Sequence, residues 1–501
     1  MASNFDTQIK RARGAFEDGS LAFPRYAEEQ LFKLYNALSA RRDELAAALE
    51  ADVGLAQCEA LFEVASTLEL VKRLATEEPD YEKWSKRREQ ALRVDGHLER
   101  GKGVVVVAGD AVSPLYSVVA PFATAISAGN AVVCLLPDAA PTVCAILKSA
   151  LSTALNRFAY IFVPASQANN LLTSSALPSD SLAITRYPVH RSPSQTLITS
   201  AGEGGATVLI DRLHAKTSPA DLAHLARRLV RGKFYALGRL PGSVQRVLVH
   251  EESAGALVDA VLEEIKTSYG ANAALSSDYG RYKGAAKGWD GEGLLKKANA
   301  RVLCGGGRTV ADSADFFPPT VVSEPSSDLL KLAANGPLLP IKTFASHEDA
   351  FVMLSKIESS VLYLFAQDTL TLDYLATEAN FKTTYANDIP LPALYNPHGT
   401  LTDRSSYVAT SRLLRSPSSP SSGPKALFAP FTPSRLAALA SLLPREKQLA
   451  WSRKHHSNSI LRVFFLQGVM LTVGTIFTVL VGTTGWVGWL AAKWVKRTYF
   501  A

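Results

Sequence analysis

Cysteine is the residue type in this chain best suited to nucleophilic or metal chemistry, and the chain has four cysteines: Cys58, Cys134, Cys144 and Cys304. None has a CxxC partner, and no cluster of histidine and cysteine has the spacing of a zinc site. Cys134 and Cys144 stand in apolar stretches that are typical of a core. The pattern predicts neither a disulfide framework nor a structural metal, and it favours a reducing compartment.

Two further motifs have the residue types of a binding site. The run Gly305–Gly307 resembles a phosphate-binding loop, but it follows a predicted strand, which favours a surface turn and an inert Cys304 before it. His455 and His456 stand among basic residues, which indicates a solvated face near a membrane, because a metal site needs more ligands. We therefore expect no phosphate site at Gly305–Gly307 and no metal site at His455 and His456.

Composition restricts the class of protein. The chain has 501 residues, of which 47% are apolar and 20% charged, and this excludes a mainly disordered or fibrous protein. The length allows roughly two to four domains. Because 53 basic residues oppose 46 acidic ones, the net charge is only +7. A charge this mild is weak support for a nucleic-acid binder and fits an anionic membrane surface equally well, and we expect no nucleic-acid partner.

The C-terminal segment has the properties of a membrane anchor. Residues 463–492 contain no Asp, Glu, Lys or Arg, and about 20 apolar residues are enough to cross a bilayer core. Trp486, Trp489 and Trp494 lie near the distal end, as an aromatic belt does. Residues 459–501 therefore predict a C-terminal transmembrane helix with the lipid bilayer as its partner. The glycines and threonines at 482–485 leave a re-entrant hairpin open as the alternative.

The N-terminal residues and the segment before the predicted anchor indicate the cellular location of the chain. Residues 1–10 lack the apolar region of a signal peptide. We therefore expect a tail-anchored protein in the endoplasmic reticulum or another intracellular membrane, with a single pass and the bulk of the chain in the cytosol. Residues 401–458 predict a linker region, in which the Ser/Pro-rich run 416–424 precedes an amphipathic helix.

The body alternates helical and strand patterns. Leucines at spacings of three, four and seven between Phe23 and Glu77 predict two or three long helices. Later helices are predicted to start at Pro121, Thr142, Ala220 and Ala254. Short apolar runs predict strands at Gly103–Gly109, Ala131–Leu136, Ala159–Val163, Ser181–Thr185, Ala206–Asp211, Val244–His250, Arg301–Leu303, Thr320–Val322 and Leu362–Ala366. Such repeated units predict an α/β fold, with a Rossmann-like lobe over residues 1–205 and a second α/β lobe over 206–400.

Several motifs in this order resemble the aldehyde dehydrogenase superfamily, and most closely its membrane-anchored fatty aldehyde dehydrogenases. The motifs are PFATAISAGNAVV from Pro121, GKF from Gly232, SDYGR from Ser277, PTV from Pro319, GPLLP from Gly336, and Asn387 with Asp388. The resemblance implies an NAD(P)-binding lobe, a catalytic lobe and a bridging strand element that supports a homodimer.

The residues that carry the family's chemistry are replaced. In that family a nucleophilic cysteine follows the GKF motif, and an ungapped fit places Pro241 at its position. Proline has no nucleophile and no backbone N–H, and Ser243 nearby has no evident base. The side-chain amide that stabilises the family's oxyanion falls on Val112.

The general base and the cofactor contacts are also altered. An ungapped fit puts Ala201 at the family's glutamate, whereas a one-residue gap puts Glu203 near it, so Glu203 is the surviving acid–base candidate. Among the residues at the adenosine ribose, only Asp138 keeps an acceptor. Arg186 stands in the turn that opens the family's pyrophosphate helix, and Ala333 replaces the glutamate at the nicotinamide ribose.

These replacements lead to one prediction with two alternatives. We predict a membrane-anchored aldehyde dehydrogenase-like protein that is catalytically inactive, works as a binding or scaffold subunit, and needs no cofactor. The first alternative is an NAD(P)-dependent fatty aldehyde dehydrogenase of altered mechanism, with NAD or NADP as cofactor. The second is a carrier of small molecules or lipid aldehydes. A protein partner is compatible with the scaffold role.

Overall fold

The computed structural model describes residues 4–76, 96–168, 181–186, 196–199, 205–214, 217–283, 290–298, 301–307, 309–310, 315–331 and 335–413. The chain divides into two compact units. One unit comprises residues 1–78 and 99–410, and the other comprises residues 79–98 and 411–501. Most of the described residues belong to the first unit.

The chain opens with four helices: α1 (Asn4–Glu17), α2 (Pro24–Ser39), α3 (Arg42–Val53) and α4 (Gln57–Thr76). Helix α2 begins with a proline, which suits a first turn because no N–H is needed there. Helix α3 ends at Gly54, whose φ of 78° is in the left-handed region that glycine favours. The prediction of two or three helices between Phe23 and Glu77 is confirmed by α2, α3 and α4, whereas α1 was not predicted. The periodic leucines of α2 and α3 are buried in the main core.

A parallel sheet of five strands follows β1 (Gly96–Gly101). Its strands are β2 (Val104–Ala108), β3 (Ala131–Leu136), β4 (Tyr160–Pro164), β5 (Leu182–Thr185) and β6 (Thr196–Thr199). The spatial order is β4-β3-β2-β5-β6, and helices α5 (Pro114–Ser127) and α6 (Pro141–Ala154) connect the first three strands. The first four strands confirm the prediction. Strand β6 was not predicted, because its sequence TLIT is short and half polar.

The start of helix α5 differs from the prediction. The helix begins at Pro114 and continues through Pro121, where the sequence predicted its start. Pro114 occupies the first turn, and Pro121 costs one intrahelical hydrogen bond. Nearly all residues between the two prolines are buried, so packing in the core outweighs that cost. Because α5 begins at Pro114, Val112 directly precedes the N-cap residue of the helix, Ser113.

The second sheet has seven strands: β7 (Ala206–Ile210), β8 (Val244–His250), β9 (Arg301–Cys304), β12 (Thr320–Ser323), β13 (Leu338–Phe344), β14 (Val361–Phe365) and β15 (Thr383–Ala386). Their order is β15-β14-β7-β8-β13-β12-β9, and only the pair β9–β12 is antiparallel. The predicted strands are confirmed. Strand β13 lies between β8 and β12 inside the sheet. It was not predicted, because Pro340 in its sequence is unusual for a central strand.

Helices and minor strands complete the described chain. They are α7 (Pro219–Phe234), α8 (Glu251–Tyr269), α9 (Gly291–Ala298), β10 (Thr309–Val310), β11 (Asp315–Phe316), α10 (Ser327–Lys331), α11 (His347–Ser355), α12 (Thr369–Ala379), α13 (Leu391–Tyr395) and β16 (Val408–Leu413). Strand β16 pairs with β1, and β10 pairs with β11. The run Gly305–Gly307 follows β9 outside any helix or strand, with φ values of 77° at Gly305 and 94° at Gly306.

The predicted anchor lies outside the described residues. So do the Ser/Pro-rich run at 416–424 and the segment 459–501. Within the described ranges, no helix is both long enough and apolar enough to cross a membrane.

Candidate functional site

Helix α7 positions the turn that contains Pro241. The helix is capped by Ser218, whose hydroxyl accepts a hydrogen bond from the backbone N–H of Asp221. Residues 235–242, which we call the proline turn, then connect the helix to β8, which begins at Val244. The sequence analysis placed the family's nucleophile in this turn.

Three successive residues of the proline turn have left-handed backbone conformations. The φ angles are 49° at Ala236, 58° at Leu237 and 68° at Gly238. For a residue other than glycine this costs roughly 1–2 kcal/mol. A side chain at Gly238 would come within 2.7 Å of the carbonyl oxygen of Gly336. The surrounding packing therefore holds the turn against its intrinsic preference.

A buried carboxyl group from α4 fixes the start of the turn. Glu59 Oε1 accepts a hydrogen bond of 2.8 Å from the N–H of Ala236, and Oε2 accepts one of 3.0 Å from the N–H of Ala56. The Tyr235 hydroxyl donates to the carbonyl oxygen of Glu59 over 3.2 Å and lies 2.9 Å from the Tyr395 hydroxyl. Burial raises the pKa of Glu59 to about 7, although its hydrogen bonds oppose the rise.

Pro241 itself is buried and presents no reactive group. The next residue, Gly242, donates its N–H to the carbonyl oxygen of Leu394 over 2.8 Å. A side chain at Gly242 would lie 2.3 Å from the carbonyl oxygen of Ala393, so the two segments touch backbone to backbone. Ser243 Oγ is buried and has no hydrogen-bond partner among the described residues, so no base activates it.

Two buried arginines connect the proline turn to other loops. Arg239 donates from Nε to the carbonyl oxygen of Ala236 over 3.1 Å and from Nη2 to that of Val53 over 3.3 Å. Arg186, just after β5, donates to the Asp110 carboxylate and to the carbonyl oxygen of Arg239. Burial lowers the pKa of Arg239. The loops after β2 and β5 and the proline turn thus form one buried hydrogen-bonded cluster.

Val112 lies in the loop before α5, half-buried against the core. The cap residue Ser113 makes no side-chain hydrogen bond to the helix. Instead, Glu63 from α4 places Oε1 3.2 Å from the N–H of Leu115 and 3.0 Å from that of Tyr116. A helix N-terminus is a natural anion site, and here a carboxyl group of the same chain fills it.

Glu63 is held in an unusual electrostatic state. The residue is 1% exposed, and Oε2 has no hydrogen-bond partner among the described residues. Burial, reinforced by the negative charge of Asp110, raises its pKa to about 8. At neutral pH the carboxyl group is therefore mostly protonated, and Oε1 can still accept both backbone hydrogen bonds.

Sequence reasoning missed Glu59 and Glu63. The signal was their spacing of four residues, which places both on one helix face, next to the apolar positions Ala60 and Val64. Charged residues on a buried helical face require partners inside the protein. The partners come from α5 and the proline turn, which are far away in sequence.

The other predicted site residues are not brought into this cluster. Asp138 is exposed, and its carboxylate accepts hydrogen bonds from Ser166, 2.7 Å from the backbone N and 3.1 Å from Oγ. Glu203 lies in the segment 200–204, outside the described residues. The same holds for Ala333.

The cysteines lie away from the proline turn in sequence, and all four are free thiols. Cys134 is buried in β3, and burial raises its pKa. Burial also raises the pKa of Cys144 to about 12, and it raises the pKa of Cys58 and of Cys304. A thiol with a raised pKa is a poor nucleophile. Within the described ranges, no group of three or more metal-binding side chains is found.

The described residues at the predicted dinucleotide contacts do not fit such a cofactor. Leu135 and Leu136 are buried apolar residues of β3. The Asp138 oxygens are bonded to Ser166, and Arg186 is bonded to Asp110 and Arg239 rather than left facing a phosphate. We therefore derive no chemical step through NAD or NADP.

Comparison with known proteins places this cluster in a family context. The model of the aldehyde dehydrogenase family matches residues 1–176 and 216–401. The 4,4'-diaponeurosporen-aldehyde dehydrogenase of Staphylococcus aureus is 25% identical over 389 residues, which cover 74% of this chain and 82% of that protein. The dimeric NADP-preferring aldehyde dehydrogenase of Rattus norvegicus is 24% identical over 407 residues, covering 78% and 86%.

Similarity of structure agrees with similarity of sequence. The substrate-bound aldehyde dehydrogenase AldH of Staphylococcus aureus superposes with a TM-score of 0.68 at 20% identity. The match covers 82% of this chain and 94% of that structure. At this level of identity the similarity shows the fold, and it confirms the predicted α/β architecture with a Rossmann-like parallel sheet.

Proposed function

This chain belongs to the aldehyde dehydrogenase family, and on that premise we propose that it is a non-catalytic member. Its role is that of a binding or scaffold subunit, held on an intracellular membrane by residues 463–492. One observation carries the proposal. The turn in which the family keeps its nucleophile is a closed, buried segment that holds Pro241 and contains no thiol.

The contacts around the proline turn support the same conclusion. Around the turn, Arg239 donates hydrogen bonds to backbone carbonyl oxygens. Arg186 donates to the carbonyl oxygen of Arg239 and to the carboxylate of Asp110. Glu63 already occupies the N–H groups at the start of α5, because its Oε1 accepts hydrogen bonds from Leu115 and Tyr116. Loss of one oxyanion donor alone costs about 10²–10³ in rate, and loss of the nucleophile removes the covalent path.

Turnover and cofactor binding test the proposal. The full chain is mixed with a fatty aldehyde and NAD or NADP, and the absorbance of reduced nicotinamide is followed. The 4,4'-diaponeurosporen-aldehyde dehydrogenase of Staphylococcus aureus, assayed with the aldehyde in its name, serves as the active control. We expect no turnover, little affinity for either nucleotide in calorimetry, and no rescue by Pro241→Cys. Steady turnover that Glu203→Gln abolishes would instead support the fatty aldehyde dehydrogenase of altered mechanism.

The membrane part of the proposal rests on the uncharged length of residues 463–492 and the tryptophans at its distal end. Carbonate extraction should leave the full chain in the pellet and release a chain that ends at Ala450. A full chain that is extracted like a soluble protein would refute the anchor.

We also propose that the chain forms a homodimer. The support comes from the family resemblance and from the rat relative, whose name describes it as dimeric. Light scattering of the full chain in detergent micelles or nanodiscs, at micromolar concentration, should give the protein mass of two chains. A mass of one chain would contradict the proposal.

A further inference from the structure

A groove runs along the exposed side of helix α7, close to the aromatic residues that support the proline turn. It has a volume of about 520 Å³, within the range of small-molecule sites. One wall is basic, and the other side is apolar except for Asp388. We call it the basic groove: His224, Arg227, Arg228 and Arg231 of α7 form its basic wall, and Phe62 with residues 388–392 lines the other side.

The basic wall follows from helical periodicity. His224, Arg227, Arg228 and Arg231 stand at positions i, i+3, i+4 and i+7 of α7, so they share one face of the helix. The opposite face of α7 carries Leu225, Leu229 and other apolar residues of the core. The helix thus presents a continuous basic stripe to the groove.

Close contact between the helix and the segment after β15 forms the apolar wall. A Cβ added at Gly232 would lie 2.9 Å from Ile389 Cγ2, so a larger residue there would have to displace the Ile389 side chain. Asn387, with a φ of 56°, turns the chain at this point. Its N–H donates to Leu364 over 2.7 Å, and its Oδ1 accepts from Ala366 over 3.0 Å. The wall is therefore fixed by backbone hydrogen bonds.

The positive charge of the groove is only partly neutralised. Arg227 pairs with Glu264 over 3.2 Å, and Arg228 pairs with Asp388 over 3.0 Å. Arg231 is exposed, and its guanidinium has no ion-pair partner among the described residues. One guanidinium therefore remains available for an anion.

Apolar surface lies beside that available charge. The ring of Phe62 packs against Tyr235 at 5.9 Å and Tyr395 at 6.4 Å between centroids, so it is held in place by the aromatic pair under the proline turn. Leu391 and Pro392 supply the rest of the apolar surface and remain partly or fully accessible. An anion that bound here by charge alone would leave this surface in water.

We propose that the basic groove binds a monomeric anionic amphiphile, with its acidic head at Arg231 and its apolar chain on Phe62 and Leu391. The volume favours a single chain over a peptide, because stable peptide and protein interfaces need a much larger area. The proposal rests on the proposed binding role of the protein. It does not rest on the loss of catalysis, so the two can fail separately.

Calorimetry with dodecanoate tests the groove. The full chain is placed in phosphatidylcholine nanodiscs, and empty nanodiscs give the reference for partitioning into lipid. We expect saturable binding at one site per chain that weakens with salt, and little binding of dodecanol, dodecyltrimethylammonium or acetate. Removal of a charge-assisted contact should weaken dodecanoate about tenfold in Arg231→Gln. The matched control is Arg25→Gln, an exposed helical arginine outside the groove, which should bind as the wild type does.

Several outcomes would overturn the inference. Equal binding of dodecanol and dodecanoate would show that charge plays no part. An equal loss of dodecanoate affinity in Arg25→Gln and Arg231→Gln would show that the binding depends on the overall positive charge and not on the groove. Binding only to phosphatidylglycerol vesicles would assign the groove to a membrane surface, and binding only of an acidic peptide would assign it to a protein partner. Nicotinamide turnover in the same preparation reports on the proposed function alone, whatever the result for dodecanoate.

Discussion

The two sides of the C-terminal end of helix α7 differ in what they offer to a ligand. On the inner side the helix runs into the proline turn, where backbone groups, two arginines and Glu59 are bonded to one another. On the outer side the same helix carries a row of arginines beside apolar surface, and Arg231 has no ion-pair partner among the described residues. The polar groups on the inner side are therefore bonded within the protein, whereas the arginines on the outer side are accessible to a ligand.

This difference shows how a fold can outlast its chemistry. Catalytic groups need access and perturbed acid–base properties together. Here the perturbed groups, Glu59 and Glu63 of α4, accept backbone N–H groups from the proline turn and from the start of α5, respectively. Their raised pKa values reflect burial inside a closed structure. In the basic groove the charges are accessible, and such charges serve recognition.

The largest expected effect tests whether the inner side is closed as tightly as the distances indicate. Gly242→Ala would place its Cβ 2.3 Å from the carbonyl oxygen of Ala393, and backbone atoms cannot move aside cheaply. We expect a loss of roughly 3 kcal/mol or more in the free energy of unfolding, as for other overpacked cores. Urea unfolding followed by circular dichroism measures it.

The control for that change is a glycine with open space around it. Gly255 lies within α8, and a Cβ added there would meet no other atom within 4 Å. Gly255→Ala should therefore stabilise the protein by about 0.5–1 kcal/mol through helix propensity. Equal effects of the two substitutions would mean that the contact at Gly242 is not tight.

The next effect concerns the two buried carboxyl groups and has a defined pH dependence. The folded-state pKa of Glu63 is raised to about 8, above its unfolded value. Its contribution to stability is therefore fully present below the unfolded pKa and is lost as the pH rises through about 8. Glu63→Gln removes this loss, because the amide oxygen can accept the N–H groups of Leu115 and Tyr116. The difference in unfolding free energy between Glu63→Gln and the wild type should therefore shift in favour of the variant by on the order of 3 kcal/mol between pH 5 and pH 9.

Glu59 provides the matched contrast. Both of its oxygens accept backbone N–H groups, from Ala236 and Ala56, so a glutamine must turn its amide nitrogen toward one donor. Glu59→Gln should therefore lose roughly 1–3 kcal/mol at pH 6. Chemical unfolding at several pH values measures both variants. Identical pH profiles for the two glutamines would contradict the hydrogen-bond assignment.

A smaller effect tests the backbone of the proline turn. Ala236 has a φ of 49°, so Ala236→Gly should relieve about 1 kcal/mol of conformational cost. The control Ala260→Gly lies in α8 and should lose about 1 kcal/mol. Thermal unfolding distinguishes the opposite signs, and a loss in both variants would show that Ala236 is not strained.

The sequence was sufficient for most of the helices and strands with a local apolar pattern, and insufficient for the contacts between them. Runs such as AVVCLL at Ala131–Leu136 predict a buried strand because their apolar pattern is local. Strand β13 was missed because Pro340 lacks a donor and Lys342 is charged, and only the neighbouring strands β8 and β12 make the strand favourable.

The candidate site divides in the same way. Pro241 and Val112 were placed by motif, whereas Glu63 was not, because its partners at the start of α5 are 52 and 53 residues away. The bond from Arg186 to the carbonyl oxygen of Arg239 spans 53 residues. Periodicity identifies a buried face, but the identity of its partner depends on the tertiary fold.

The smallest stability effect comes from the outer side of α7. Asp388 pairs with Arg228 at the surface, with side chains 53% and 44% exposed. Such pairs contribute less than about 1 kcal/mol, so Asp388→Asn should leave the free energy of unfolding nearly unchanged. The same substitution removes a carboxylate that competes with an incoming anion for the groove arginines. Dodecanoate should therefore bind a few-fold more tightly to Asp388→Asn, with the gain lost at high salt because the Debye length shortens to about 3 Å at 1 M. Calorimetry and urea unfolding on one preparation measure both quantities. A large loss of stability together with unchanged binding would mean that this pair holds the groove wall in place, and the contrast between a closed inner side and an accessible outer side would no longer hold.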